Sequence, residues 1–232
     1  MKITHILTKS FEKFPEWPVK NRMRYFLAFS PLVPKSIQDL SPVKGYELYR
    51  KLKEGEVVVD AGAFTGDYTV FAAKKVGKEG KVIAFEPDEK NRIILRRNLR
   101  FEKLDNVIIV PKGLWNKKAT LNFKSQDGLH SNLYSNEGNS SIDVAPLDYE
   151  LKRLKINKVD FIKMDIEGAE IEAVKGALKT LKKHKPFVAI ASYHIVKGKQ
   201  TSAFLEKFLS RLGYKVKSDF PKHLTTFAWK KP

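Results

Sequence analysis

The run Val57-Val58-Val59-Asp60-Ala61-Gly62-Ala63-Phe64-Thr65-Gly66 limits the fold more than any other. Three consecutive β-branched residues make a short, all-apolar strand of the kind buried on both faces in a parallel sheet. The small residues after it let the backbone turn sharply and approach a ligand closely. A helix expected over 66–76 presents free amide groups at its start. The run has an acid, a glycine two residues on and another four residues later. It is not the Gly-x-Gly-x-x-Gly of dinucleotide enzymes. Without a ligand, the same run would be an ordinary tight strand-to-helix turn.

The rest of the chain repeats the alternation. Strands are expected over 81–86, 106–110, 159–165 and 186–193, with a further extended piece over 118–123. Helices are expected over 45–53, 88–103, 148–154, 170–182 and 202–212, with Asp88 as a cap. Residues 125–141, rich in Ser, Asn and Gly, read as a loop. Strands alternating with helices predict βαβ units, hence an α/β fold with a mostly parallel sheet and helices on both faces. The last two strands, 214–217 and 224–229, lie only about six residues apart. That is too short for a parallel crossover, so they must form an antiparallel hairpin. Residues 1–45, with Pro15, Pro18, Pro31, Pro34 and Pro42 among aromatics, read as an N-terminal extension. Residues 46–232 read as the main domain.

Charge is distributed in blocks. Residues 1–53 hold 11 Lys/Arg against 4 Asp/Glu, and 179–232 hold 13 against 2, while the middle is balanced at 20 against 20. Basic flanks suit an anionic partner such as nucleic acid, a phospholipid surface or a phosphorylated sugar. They equally suit a Lys-rich surface kept for solubility or heat. No cysteine is present, which excludes disulfides, thiolate zinc sites and cysteine nucleophiles. Charged residues interrupt the first 16 positions, so no signal-peptide core is read there and a cytoplasmic protein is expected.

Three acids fall at strand ends, where open α/β sheets bind ligands. Asp60 ends the first strand and Glu86 the second. An acid at the second position accepts hydrogen bonds from both ribose hydroxyls and disfavours a 2′-phosphate. The third is Asp165, within Lys163-Met164-Asp165-Ile166-Glu167-Gly168-Ala169-Glu170. Alternation puts Lys163 and Asp165 on one strand face. A helix-capping role is the plain alternative for Asp165. His194, closing the strand expected over 186–193, is expected at the same rim, with a catalytic, metal or merely structural role. His130 is a weaker candidate, and residues 131–134 are a candidate lid.

Together, Asp60–Gly66, Phe85-Glu86-Pro87, Ala145-Pro146-Leu147-Asp148 and the Asp165-to-Glu170 run resemble the FkbM family of methyltransferases over roughly residues 55–195. The resemblance implies a class I methyltransferase fold with a seven-stranded sheet, and S-adenosylmethionine as cofactor. It implies cofactor contacts at Asp60, Gly62, Ala63, Phe64, Gly66, Glu86, Pro87, Gly113, Leu114 and Asp165. The family often carries Asn where this chain has Phe64, and often a His where His194 stands. Members are similar to O-methyltransferases acting on sugars, polyketides and other small or glycosidic acceptors. Asp165, His194 and Glu167 are then the candidate catalytic residues, through a general base or a divalent ion. The rival is an RNA methyltransferase using the basic flanks; a peripheral contact with anionic membrane is also open. The chain lacks the Asn/Asp-Pro-Pro-Tyr/Phe run of adenine amino-methylases.

Overall fold

The computed structural model describes residues 42–123, 140–196, 198–220 and 223–230. The chain divides into two compact units, Met1–Gly45 and Tyr46–Pro232. The described part of the first unit is one helical turn, Pro42–Gly45.

In the second unit, the chain runs β1 (Val57–Ala61), α1 (Asp67–Val76), β2 (Lys81–Phe85), α2 (Glu89–Phe101) and β3 (Val107–Val110). It continues through β4 (Gly113–Leu114), β5 (Ala119–Phe123), β6 (Ser140–Ala145), α3 (Leu147–Arg153) and β7 (Phe161–Met164). Then come α4 (Glu170–Lys175), α5 (Leu178–Lys183), β8 (Phe187–Ala191), β9 (Ile195–Val196) and β10 (Lys199–Gln200). The last elements are α6 (Thr201–Arg211), β11 (Lys215–Asp219) and β12 (Thr225–Trp229). Seven strands form one sheet in the order β11-β12-β8-β7-β1-β2-β3. β1, β2, β3, β7 and β8 are mutually parallel, while β12 runs antiparallel to both β8 and β11. This is the Rossmann-like class I methyltransferase architecture, closing hairpin included. The strand order reverses at β1 and β7, the switch point beyond whose carboxyl ends open α/β sheets bind their ligands.

Burial explains the apolar strands. Val58, Val59, Ile83, Phe85, Phe161, Ile162, Val188 and Ile190 are all enclosed between helix layers. Three local expectations need correction. The helix expected over 45–53 stops at Gly45, and residues 46–53 run as turns and irregular chain. Carboxylates compete for its amides there: Glu47 accepts from Leu52 N–H and Glu56 from Lys53 N–H.

The single helix expected over 170–182 is two. Gly176 lies so close to Trp115 that a Cβ would sit 2.1 Å from the Trp115 carbonyl oxygen. The Asp148 carboxylate, from α3, then caps the start of α5, accepting from the amides of Lys179 and Thr180 at 2.8 Å and from Thr180 Oγ1 at 2.6 Å. The loop expected to reach residue 141 ends earlier, because β6 begins at Ser140 and pairs with β4 and β5 in a second, three-stranded sheet. Ile142 and Val144 are buried while Ser141 and Asp143 are exposed, a period-two pattern. Among the described residues, no helix is long and apolar enough to cross a membrane.

Asp148→Ala removes a cap contributed by a different helix. It should lower unfolding stability by about 1–2 kcal/mol, read from urea midpoints.

Candidate active site

The crevice is built on a buried ion pair. In the β1–β7 register Asp60 lies directly opposite Lys163. Asp60 is 0% exposed and Lys163 4%. Lys163 Nζ donates to Asp60 Oδ1 at 2.9 Å, and the other carboxylate oxygen accepts from Thr69 Oγ1 at 2.6 Å. The same ammonium donates to the Gly62 carbonyl at 2.8 Å and the Ala61 carbonyl at 3.3 Å. Asp60 is therefore not available as a ligand-facing acid, as was expected of it. Its carboxylate is consumed beneath the loop, and its part is to hold that loop in place.

The loop itself is strained. Gly62, Phe64 and Gly66 all have positive φ, at 78°, 51° and 100°. A Cβ on Gly62 would lie 1.9 Å from the Asp165 carbonyl oxygen, and one on Gly66 would lie 2.5 Å from Leu95 Cδ1. These glycines answer to packing as much as to any ligand. Phe64 takes a left-handed conformation that Asn adopts far more readily, which is the physical content of the departure noted in the sequence. Ala63 is buried, and its N–H is tied to the Phe85 carbonyl at 3.0 Å.

Glu86 joins the second strand to this loop. Its Oε2 accepts from Phe64 N–H at 2.7 Å, and its Oε1 from Asp88 N–H at 2.9 Å and Asn91 Nδ2 at 3.3 Å. Burial pushes the carboxyl pKa up, against the lowering effect of those hydrogen bonds. A carboxylate offers about four acceptor sites, so one remains at the rim. The carbonyls of Glu86 and Pro87 are both held by Arg92 Nη1. Leu114 sends its side chain into the main core, and Gly113 pairs with Val144. Beyond their side chains, only backbone is left for a ligand at these two positions. Trp115 packs against Ile142 and Val144 of the second sheet.

The third strand end carries the reactive groups. Asp165 N–H donates to the Ala61 carbonyl at 3.0 Å, which zips the β7 end to the β1 loop. Asp165 Oδ2 accepts from Tyr46 Oη at 2.9 Å. His194 Nε2 stands 3.3 Å from Glu167 Oε2 and 4.0 Å from Asp165 Oδ1, while Nδ1 stands 3.0 Å from Glu170 Oε1. These approaches are at ion-pair range, but none has hydrogen-bond geometry. Both ring nitrogens, Asp165 Oδ1 and Glu170 Oε2 are buried without a hydrogen-bond partner. Burial opposes charge on His194, but the Glu167, Glu170 and Asp165 carboxylates outweigh it and push its pKa up to about 10. Burial, then Asp165, raise the Tyr46 phenol well above its ordinary value.

Asp165, Glu167 and His194 thus come together as expected, and Asp165 does not cap α4. Glu170 does that work, its Oε1 accepting from Ile166 and Gly168 amides at 3.1 and 3.2 Å. Tyr46, Thr69, Glu170 and Tyr193 were not foreseen. Tyr193 packs against His194 with ring centroids 4.1 Å apart and the ring planes tilted by 39°. His130 and the candidate lid 131–134 lie outside the described residues.

The sequence model described as "Methyltransferase FkbM domain" matches residues 60–216, well over half of the chain. Methyltransferase sdnD of Sordaria araneosa is 26% identical over 160 residues, covering 54% of this chain and 61% of its own length. Methyltransferase 1 of Beauveria bassiana is 27% identical over 143 residues, 51% of this chain and 57% of its own. The chain thus spans less than two thirds of these relatives. Among solved structures, methyltransferase FkbM from Methylobacillus flagellatus KT superposes with a TM-score of 0.58 at 22% identity, over 91% of this chain and 59% of that one. Aeropyrum pernix fibrillarin superposes with a TM-score of 0.55 at 15% identity, over 82% of this chain and 74% of that one.

Lys163→Met leaves the Asp60 carboxylate buried and unpaired, which should cost about 3–5 kcal/mol in a urea titration. Adding Asp60→Asn to that variant should recover part of the loss.

Proposed function

The chain belongs to the FkbM family of S-adenosylmethionine-dependent methyltransferases, and from that premise we propose that it methylates a hydroxyl oxygen of a sugar, glycolipid or other small acceptor. The observation that carries this reading is backbone contact between the Gly62 turn and Asp165. It puts the donor loop and the Asp165–Glu167–His194 cluster against one crevice.

The residues present fit the cofactor. Glu86 keeps one acceptor site for a ribose hydroxyl and is aimed by Phe64 N–H. Gly62, Ala63, Phe64 and Gly66 would follow the methionine part, and Gly113 with Leu114 would offer backbone to the adenine. A crevice lined by Glu86, Asp165 and Glu167 attracts a sulfonium cation and repels a pyrophosphate.

When bound, the cofactor supplies an electrophilic methyl group. The chain must hold an acceptor oxygen in line with it, and such positioning is worth effective molarities of roughly 10⁵–10⁸ M. An acceptor hydroxyl has to give up its proton to be methylated, and the chain must supply the group that takes it. Asp165 is the carboxylate placed to receive it: Tyr46 fixes Oδ2, and Oδ1 is left unpartnered. His194 and Glu167 flank that oxygen. A phosphate-rich acceptor suits this acidic rim poorly, which favours a hydroxyl on a neutral acceptor over RNA.

Calorimetry should give S-adenosylmethionine binding that Glu86→Ala weakens by about 10–100-fold. A wild-type chain that does not bind the cofactor would sink the reading. Labelled-methyl transfer into cell extract, split into glycan, lipid and RNA fractions, should mark the glycan or lipid fraction. Asp165→Asn should lower that transfer by about 10²–10⁴-fold, measured at saturating cofactor so that any weaker cofactor binding is separated from the loss of the base.

A further inference from the structure

We propose that Asp165, Glu167 and His194 form a divalent-cation site on the acceptor side of the crevice, suited to an ion such as Mn²⁺ that takes mixed oxygen and nitrogen ligands. The site stands on the geometry below; the ion's role in the reaction rests on the methyl-transfer reading above.

The donors are collected in one place. One ligand atom from each of the three side chains lies within 4.8 Å of the others. Ligands about 2.1 Å from one ion stand about 3.0 Å apart at right angles. The 3.3 Å from His194 Nε2 to Glu167 Oε2 is already close to that, and the 4.0 Å to Asp165 Oδ1 needs modest closure. The Asp165 and Glu167 side chains are 27% and 31% exposed, so they have room to rotate.

The donors are also unsatisfied. The His194 side chain is only 10% exposed; its ring nitrogens meet only carboxylates, at ion-pair range and without hydrogen-bond geometry, and Asp165 Oδ1 has no hydrogen-bond partner. Buried polar atoms left in that state are uncommon in folded proteins and call for an explanation. An ion between Nε2 and Oδ1 supplies one.

The surroundings hold these atoms in position. Tyr46 occupies Asp165 Oδ2 and thereby leaves Oδ1 facing the histidine. Glu170, fully buried and fixed by two backbone amides, stands 3.0 Å from His194 Nδ1 and leaves Nε2 to face the carboxylates. A carboxylate behind a ligating imidazole is the usual outer partner of a metal-bound histidine. Glu167 and Gly168 both adopt positive φ, 53° and 97°, folding the chain so that the Glu167 carboxylate returns toward the ring. Three carboxylates around one imidazole need positive charge, which either a proton on His194 or a bound cation can provide.

The donor set narrows the ion. One imidazole with two carboxylates suits Mn²⁺, Fe²⁺, Co²⁺ or Zn²⁺ better than Mg²⁺, which favours oxygen alone. Three ligands leave positions open for an acceptor oxygen, whose proton the ion would make easier to lose to solvent; with an ion bound, Asp165 Oδ1 is a ligand, and it acts as the base only in the ion-free site.

The test is a titration of the chelator-treated full chain with MnCl₂, following the free-ion signal by electron paramagnetic resonance. The wild type should bind one Mn²⁺ per chain and broaden the His194 ring resonances in NMR. Glu167→Gln and His194→Gln should each weaken binding at least about 10-fold, and Glu170→Gln by about 10–100-fold. Circular dichroism checks that each variant is folded. Should the variants unfold, the location of broadening in the wild type decides. No Mn²⁺ bound by the folded wild type, broadening away from His194, or equal affinity in folded variants would overturn the site, leaving a protonated histidine as the sole counter-charge. Transfer that persists undiminished in chelator would overturn the ion's role while the methyl-transfer reading stands. Mn²⁺ binding without S-adenosylmethionine binding would do the reverse.

Discussion

Beneath the crevice, the Lys163 ammonium connects two strands and a turn. It neutralises Asp60 across the β1–β7 register and donates to the Ala61 and Gly62 carbonyls. Such a pair is expensive to desolvate and rewards the fold only when every donor and acceptor is placed. Here they are: Thr69 completes the carboxylate, and two carbonyls complete the ammonium. The left-handed turn at Gly62 is thereby anchored from below, which leaves its upper side for a ligand.

On that anchored turn the rim is assembled in steps. Glu86 ties the turn to β2 through Phe64, and Asp165 ties it to β7 through Ala61. The Glu86 tie spends a carboxylate oxygen on the Phe64 amide, whereas the Asp165 tie runs main chain to main chain and does not use its carboxylate. The acidic rim contrasts with the basic flanks of the sequence.

Much of this was legible in the residues. Val57–Val59, the glycine spacing and the short final connection were enough for the sheet and its hairpin. Strand-end placement brought Glu86, Asp165, Glu167 and His194 to one rim. Asp60 was misread because its partner is set by strand order: only when β7 lies beside β1 does Lys163 fall opposite it. Tyr46 was hidden in a stretch that reads as helix until the carboxylates of Glu47 and Glu56 are seen taking its amides. The break between α4 and α5 is invisible locally, since it comes from Trp115 and Asp148, far off in the chain. Strand β6 did carry a signal, the Ser-Ile-Asp-Val alternation, masked by the polar stretch before it.

The close approach of Gly62 to the Asp165 carbonyl has a kinetic meaning. Methyl transfer depends steeply on the gap between attacking oxygen and carbon. In this protein the Gly62 turn and the Asp165 end of β7, on the proposed reading the donor and acceptor sides of that gap, meet main chain to main chain with no side chain between them as a spacer. They must move as one body. A change in the spacing of these two strand ends therefore cannot come from trimming a side chain between them; it needs a shift of the main chain itself.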